Sequence, residues 1–512
     1  MSKPRQHYAF TAAKWMTASS YVTFVTSALN SVIITHALGP RLYGVYAYLV
    51  WMMTFTVSLI TGGVNLTAIR IISATAGLNS RKPSTESLAA FSFLRTVLHK
   101  MLALTALLLL ASTLVPRIYP RDLATHLLVY ILFVLLCAAA KASYMFTVSA
   151  SKGFLVFETE AISNMLVGIL APLLGVVLLL AHQGLPAFML LFGGSTLAQL
   201  LIAQWILRRR GIATTHLSPS KDALERIKKL VRWNFLLTLA SQFSPKSIDT
   251  YLLGWLSLTV AVGEYNLAAS ISRAGTDVLV AGFSAIVLPY FSKAQADGGM
   301  GRVQEVFTPA VCIYQTIGLW VAGGGYLIAP FIIPTLYGNS FSGAIPAFQI
   351  MSATAGLSLP MGAYSAALIA TDSVRVRATY IAGLSAISLG TSLALVPSLG
   401  FRGALFSIAI GEILRYLFST LLLFALLNLR LPARYVARQW LAALISLALV
   451  MGLIPIRTKA ATALVACCMY SAMLGILTVN LGGWRRQDLE MASRQSALLA
   501  RLISTLRFFQ PL

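Results

Sequence analysis

Lys246, Asp249, Arg273 and Asp277 are the residues whose types and spacing could do chemistry in this chain of 512 residues. Lys246 lies 13 residues beyond Trp233 in a largely apolar segment. At the rise of an α-helix it stands about 20 Å in, near mid-bilayer if the segment spans. Asp249 follows it at i+3. Pro245, which has no backbone N–H, predicts a break or kink immediately before the pair. On the next apolar segment Arg273 and Asp277 are i,i+4 partners, with Arg273 about 12–14 Å from the outer end. Ionisable groups at such depth are costly and are functional candidates by default. Two readings fit them. They are two self-neutralising ion pairs, or they line a hydrated cavity where the cations attract an anionic headgroup and the carboxylates hold the cations or bind a coupling ion.

Arg70 and Asn30 are further candidates. Arg70 lies 26 residues past Gly44, the distance that separates Pro289 from Gly263. The planar fork of an arginine can give a phosphate two hydrogen bonds at once. Asn30 belongs to a stripe of Thr23, Thr26, Ser27, Ser31 and Thr35 that recurs at helical spacing. In lipid such a stripe faces other helices or a water-filled cavity, and both fit. The remaining charges in apolar surroundings are weaker signals. Lys14, Arg70, Arg95, Lys100 and Lys141 fall near segment ends, where a long side chain reaches the interface cheaply. Glu158 and Glu160 open a segment, and Glu412 with Arg415 reads as a structural i,i+3 pair.

No catalytic constellation is visible. The six His are scattered without metal spacing, and the four Cys lie in apolar segments and read as packing residues. Gly323–Gly325 precede Tyr326 rather than Lys-Ser/Thr, so they mark close helix approach or flexibility and not a phosphate loop. The sequence calls for no cofactor and no metal, and it reads as a non-enzyme.

The elements that must position these residues are membrane helices. The chain is 58% hydrophobic and 11% charged, with a mean hydropathy of +0.79. Soluble proteins carry about 25% charged residues, and here roughly 14 apolar runs are long enough to span. The stretch after Lys14 is too mixed with Thr, Ser and Asn for a signal peptide. The net charge of +24 is distributed topologically. With the N-terminus in the cytoplasm, alternate loops collect about 25 Lys and Arg against about 6 on the other side. Both termini are therefore expected in the cytoplasm, and nucleic acid is not an expected partner. Membrane lipids are.

Two stretches repeat one device. Leu38-Gly39 with Gly44–Tyr46, and Leu253-Gly254 with Gly263–Tyr265, each set Leu-Gly and Gly-x-Tyr in a short turn between long apolar segments, where glycine would supply positive φ. The predicted class is an all-α polytopic membrane protein of about fourteen helices: two six-helix lobes related by a pseudo-two-fold repeat, and a C-terminal helix pair. The expected divisions are residues 1–207 for the first lobe, 208–232 for a basic cytoplasmic linker, and 233–427 for the second lobe. Residues 428–483 form the added pair, and 484–512 a tail. In the linker, Asp222 and Glu225 resemble a helix start, and Leu224, Ile227, Leu230 and Val231 share one face, as for a helix lying in the membrane plane. In the tail Leu498, Leu502, Leu506 and Phe509 share a face; a surface helix and a disordered tail both fit.

The chain resembles the polysaccharide/O-antigen lipid-linked oligosaccharide flippases of the superfamily that also holds lipid II flippases and multidrug extruders. The resemblance is carried by ALGPRLYGVYAYLVW from Ala37, by SIDTYLLG with AVGEYNLAASI and VLPYFSKA, and by PTLYGNSFSGAIPAFQIM from Pro334. SLGFRGALFSIAIGEILRY from Ser398 is looser. It implies two bundles rocking around a central cavity, in a bacterial inner membrane. It also implies a substrate of undecaprenyl pyrophosphate bearing a short glycan, moved from the cytoplasmic to the outer leaflet, with a polysaccharide polymerase or another pathway protein as candidate partner. The last two helices also resemble the lipid II branch. Without a nucleotide-binding domain, the energy source would be an ion gradient, the membrane potential or the substrate gradient. A cation-coupled drug extruder is the nearest rival, although its cationic substrates would be repelled by Lys246 and Arg273. A membrane glycan polymerase or ligase is the rival from another class, and it needs larger outer loops than those near 38–44, 116–122, 182–186, 257–263, 336–344 and 397–403.

Overall fold

The computed structural model describes residues 3–75, 84–212, 219–370, 374–454 and 460–485. Within these, the side chains of 3–18, 20, 277–278, 281–286 and 374–375 lie outside the description, so those of Lys14 and Asp277 do too. The expected tail face of Leu498, Leu502, Leu506 and Phe509 also lies outside the described residues.

Every described element is helical. The chain runs α1 (Lys3–Thr61), α2 (Val64–Thr75), α3 (Thr85–Ser112), a 3-10 turn (Pro116–Ile118), α4 (Arg121–Ala124), α5 (Leu127–Gly153), α6 (Glu158–Leu180) and α7 (Leu185–Arg209). It continues with α8 (Lys221–Gln242), α9 (Pro245–Trp255), α10 (Thr259–Tyr337), a 3-10 turn (Asn339–Phe341), α11 (Ala344–Ala353), α12 (Ala355–Ser358) and α13 (Met361–Ala370). It closes with α14 (Val374–Leu427), α15 (Ala433–Leu453) and α16 (Ala460–Asn480). Among the described residues ten stretches are long and apolar enough to cross a membrane, and three of them carry a break, at Gly39, Gly298–Gly299 and Gly400. The expected fourteen helices treat these breaks as turns between spans. Large aliphatic side chains such as Leu136, Leu180, Leu190 and Leu421 stand exposed around the helices, as lipid-facing residues do. This is a multi-pass membrane protein.

Contacts divide the chain into two compact units: residues 1–243 with 250–263, and residues 244–249 with 264–512. In the first unit, α1 packs along α5 and α6, and α2 along α3, α5 and α8. The polar stripe on α1 explains part of this packing. Thr26 faces Gly168 and Asn30 faces Gly175, two glycines of α6 whose missing side chains make room. Thr26 and Thr35 satisfy their hydroxyls on the carbonyls of Val22 and Ser31, one turn back. Thr26 and Thr35 are buried and Asn30 is half-buried, whereas Thr23 and Ser27 are exposed.

The repeated turns behave differently from the sequence expectation. Gly39 has φ 64°, the left-handed region, and breaks α1 before Pro40 begins its second half. In the second repeat the positive φ, 57°, belongs to Ser257 instead. Gly44, Gly254 and Gly263 are helical, and their role is close approach. A Cβ on Gly44 would stand 1.8 Å from the Thr259 carbonyl oxygen, and one on Gly263 would stand 2.8 Å from that of Pro40. A Cβ on Gly254 would meet the Tyr48 ring at 2.2 Å. The two turns are packed backbone to backbone within the first unit. Asp122 ties them further, accepting from Arg41 at 3.1 Å and from Thr259 at 2.9 Å.

The linker expectation needs one correction. Ser220 caps α8, accepting from the Ala223 N–H, and Asp222 sits in the first turn. Ile227 is fully buried, with Leu224, Leu230 and Val231 half-buried on the same side. Yet α8 runs on past residue 232 to Gln242 as one helix. Gly63, at φ 80°, lets α8 approach closely, because a Cβ there would stand only 2.2 Å from the Val231 carbonyl oxygen.

In the second unit an aromatic core joins Phe291, Phe307 and Tyr364, the last two rings 5.5 Å apart. The terminal pair α15 and α16 packs on α10 through Leu319, Leu327, Ala443 and Tyr470. There Gly323 serves close approach, because its Cβ would lie 2.0 Å from the Tyr470 ring. The Tyr470 hydroxyl donates to the Leu319 carbonyl at 2.7 Å. Gly325 is likewise closed in by Ser352. Of the cysteines, Cys137 and Cys312 are buried packing residues, whereas Cys468 is exposed; none of the four is bonded to another.

Candidate substrate cavity

Pro245 does what its chemistry dictates. α8 ends at Gln242, Phe243 leaves helical geometry, and α9 begins at Pro245. A new helix N-terminus therefore stands at this break; Ser247 and Ile248 already donate their N–H groups to the Ser244 carbonyl, and the helix end carries partial positive charge.

That N-terminus opens onto a cavity of about 300 Å³ within the second unit. Ser244, Pro245 and Lys246 supply one wall, and Ser272, Arg273 and Thr276 of α10 another. Glu412 and Arg415 of α14 supply a third, and residues from Met351 to Ser358 complete it. Three cations thus face one carboxylate. Glu412 and Arg415 pair with each other, and both are largely buried, 11% and 14% exposed as side chains. Arg415 Nε and Glu412 Oε2 are buried without a hydrogen-bond partner. The lining thus carries an excess of positive charge beside the start of α9; of its hydroxyls, Thr276 and Thr354 donate to backbone carbonyls of their own helices.

The structure brings Lys246 and Arg273 together as cavity-lining residues. Asp249 goes elsewhere, and this corrects the expected Lys246–Asp249 pair. The five ion pairs among the described residues are Arg41–Asp122, Lys152–Glu160, Arg210–Glu158, Arg302–Glu305 and Arg415–Glu412. Asp249 is fully buried behind the wall, where the Tyr265 hydroxyl donates to its Oδ2 at 2.6 Å; its Oδ1 makes no hydrogen bond. At i+3 the two residues are neighbours on one helix surface, so spacing alone permits the pair; the Tyr265 hydroxyl holds the carboxylate instead. Arg70 and Asn30 belong to the first unit: Arg70 is exposed on α2, and Asn30 is half-buried against Gly175. Asp277 lies outside the described side chains.

The expected structural i,i+3 pair of Glu412 and Arg415 is present, but sequence reasoning did not place either residue at the cavity. A signal was available. Arg415 lies 11 residues into the apolar run 404–427, roughly 17 Å at a helical rise, as deep as Lys246 by the same criterion. Lys141 also departs from expectation. Instead of reaching the interface it donates to Gln199 at 2.9 Å and lies 4.9 Å over the Tyr144 ring, in a network with Asn164.

The described residues form an all-helical membrane fold with a polar cavity among broken helices, an architecture in which transporters are built. The chain belongs to the polysaccharide biosynthesis protein family, whose sequence model matches residues 12–295, more than half of it. Among solved structures it is similar to the lipid II flippase MurJ in an inward closed conformation. The TM-score is 0.67 at 15% identity, covering 90% of this chain and 97% of that one. It is also similar to an inward-facing multidrug resistance MATE family transporter of the MOP superfamily (TM-score 0.61, 16% identity, 79% and 94% covered). A mutant form of the Vibrio cholerae MATE transporter VcmN follows at TM-score 0.57, with 14% identity and 82% and 98% covered. At these identities the likeness is one of fold. No curated protein matches the sequence significantly.

Proposed function

We propose that this protein is a flippase that moves an undecaprenyl-pyrophosphate-linked oligosaccharide, a polysaccharide or O-antigen repeat unit, from the cytoplasmic to the outer leaflet of the inner membrane. The observation that carries the reading is the excess of cations, Lys246, Arg273 and Arg415 against Glu412, around the α9 N-terminus. A pyrophosphate is the headgroup such a lining suits, and the hydroxyls beside it suit sugars. Transport by alternating access would draw on an ion gradient or the membrane potential. Asp249, with one carboxylate oxygen unpartnered, is the candidate coupling residue, and Arg70 a second candidate phosphate contact. Membership in the polysaccharide biosynthesis family supports a glycan pathway, with its polymerase as a proposed partner.

The test is lipid extraction from a deletion strain. Undecaprenyl-linked oligosaccharide should accumulate on the inner leaflet, and Lys246→Ala or Arg273→Ala should express normally yet fail to restore surface glycan. Full complementation by both variants removes these residues from the mechanism, and direct efflux of an organic cation from proteoliposomes replaces the reading with a drug extruder.

A further inference from the structure

A second polar cavity, of about 220 Å³, lies wholly within the first unit between α3, α5 and α7. Each helix contributes a pair of polar residues four apart: Arg95 and His99, Ser143 and Thr147, Gln204 and Arg208. Residues at i and i+4 share one helix face, so three helices each turn one polar face toward one space. The floor is apolar, with Phe91 and Phe146 stacked at 5.5 Å and 7°. The acids nearest in sequence to this end of the unit are already engaged. Glu158 pairs with Arg210, Glu160 with Lys152, and Glu86 accepts from Ser220. None of the ion pairs among the described residues includes Arg95 or Arg208. Two guanidinium groups, Arg95 half-buried and Arg208 exposed, thus line one small cavity without an ion-pair partner among those residues, a lining that favours an anion.

The cavity sits at the end of the unit where α7 finishes in Arg208-Arg209, with Arg209 stacked 3.9 Å over the exposed Trp205 ring. Trp beside Arg at a helix end is the pattern of a membrane interface. We propose that this cavity binds an anionic phosphate headgroup at the membrane surface, with Arg95 and Arg208 as its two forks and Gln204 as a neutral donor. The site shares no residue with the Lys246 cavity and does not depend on what that cavity carries. A phosphodiester of a lipid such as phosphatidylglycerol and a free phosphate ion present the same chemistry, and experiment separates them.

The purified full chain in detergent is labelled with an arginine-specific dicarbonyl reagent, and modification is mapped by mass spectrometry. The probes are short-chain phosphatidylglycerol, short-chain phosphatidylcholine and inorganic phosphate. Phosphatidylglycerol is expected to slow labelling of Arg95 and Arg208 severalfold while leaving the outer-loop Arg117 unchanged. Equal protection by inorganic phosphate assigns a free ion as the natural source; protection by phosphatidylglycerol alone assigns a lipid. No protection by either, or equal protection by phosphatidylcholine, overturns the proposal. In Arg95→Gln/Arg208→Gln, retention of phosphatidylglycerol by native mass spectrometry should weaken about tenfold. Unchanged retention also overturns it. The labelling on unaltered protein stands as a test even if that variant fails to fold.

Discussion

The two units put their polar chemistry to opposite uses. In the first, the repeated turn is a packing device: Gly44 and Gly263 bring two backbones into contact, and Asp122 ties Arg41 to Thr259. In the second, the segment that follows the same turn gathers Arg273 with Lys246 and Arg415 around a cavity. One duplicated device therefore serves close packing in one unit and introduces a charged lining in the other. The comparison teaches that the repeat sets architecture, while asymmetric charge sets the site.

The comparison breaks first at Gly44. Replacing it with Leu puts atoms where the Thr259 carbonyl stands 1.8 Å from the Cβ position, and the obstacle is backbone that cannot rotate away. Gly44→Leu should abolish stable folding, read as loss of a monodisperse peak in gel filtration. Gly254→Ala, which meets only the Tyr48 side chain, should be milder. If Gly44→Leu folds normally, the turns are not held by close approach.

A smaller effect is expected in the second unit. Arg415→Gln leaves the carboxylate of Glu412 buried without its cation, a change that costs about 3–5 kcal/mol when a buried pair is broken. The melting temperature should fall, and Glu412→Gln in the same chain should restore much of it. Failure of that rescue would show that Arg415 is held by other contacts. Tyr265→Phe removes the hydroxyl that donates to Asp249, at about 0.5–1.5 kcal/mol for a typical hydrogen bond and more if the carboxyl is ionised. Thermal unfolding without a shift would place Asp249 in reach of another donor.

The smallest effect belongs to Asp122. Its carboxyl is held below the ordinary carboxylate range, first by the hydrogen bond from Arg41 and also by Thr259, with partial burial opposing them. A depressed folded value stabilises the fold above the unfolded carboxylate range, and that contribution is lost as pH falls through the lower folded value. Arg41 is 72% exposed, so screening limits the pair to no more than about 1 kcal/mol. Asp122→Asn should lower the melting temperature slightly at neutral pH and not at all in strong acid. An equal shift at both would mean that charge is not what ties the turns.

Much of the fold was legible in the sequence because composition and apolar run length act locally. Spanning segments, the break at Pro245 and the amphipathic face around Ile227 follow from residue type and helical rise alone. The partners of the charged residues were not legible. Spacing could pair Lys246 with Asp249, but the carboxylate accepts from Tyr265 instead, 16 residues on. The glycines of the repeat read as turn residues, yet three of the four serve contacts with helices distant in sequence. Arg415 entered the cavity because α14 folds back against α9 and α10, a choice made by packing. The sequence determined a polytopic helical protein, since composition and apolar run length act along each helix separately. The tertiary structure decided which charges share a cavity, since that depends on how helices far apart in the chain meet.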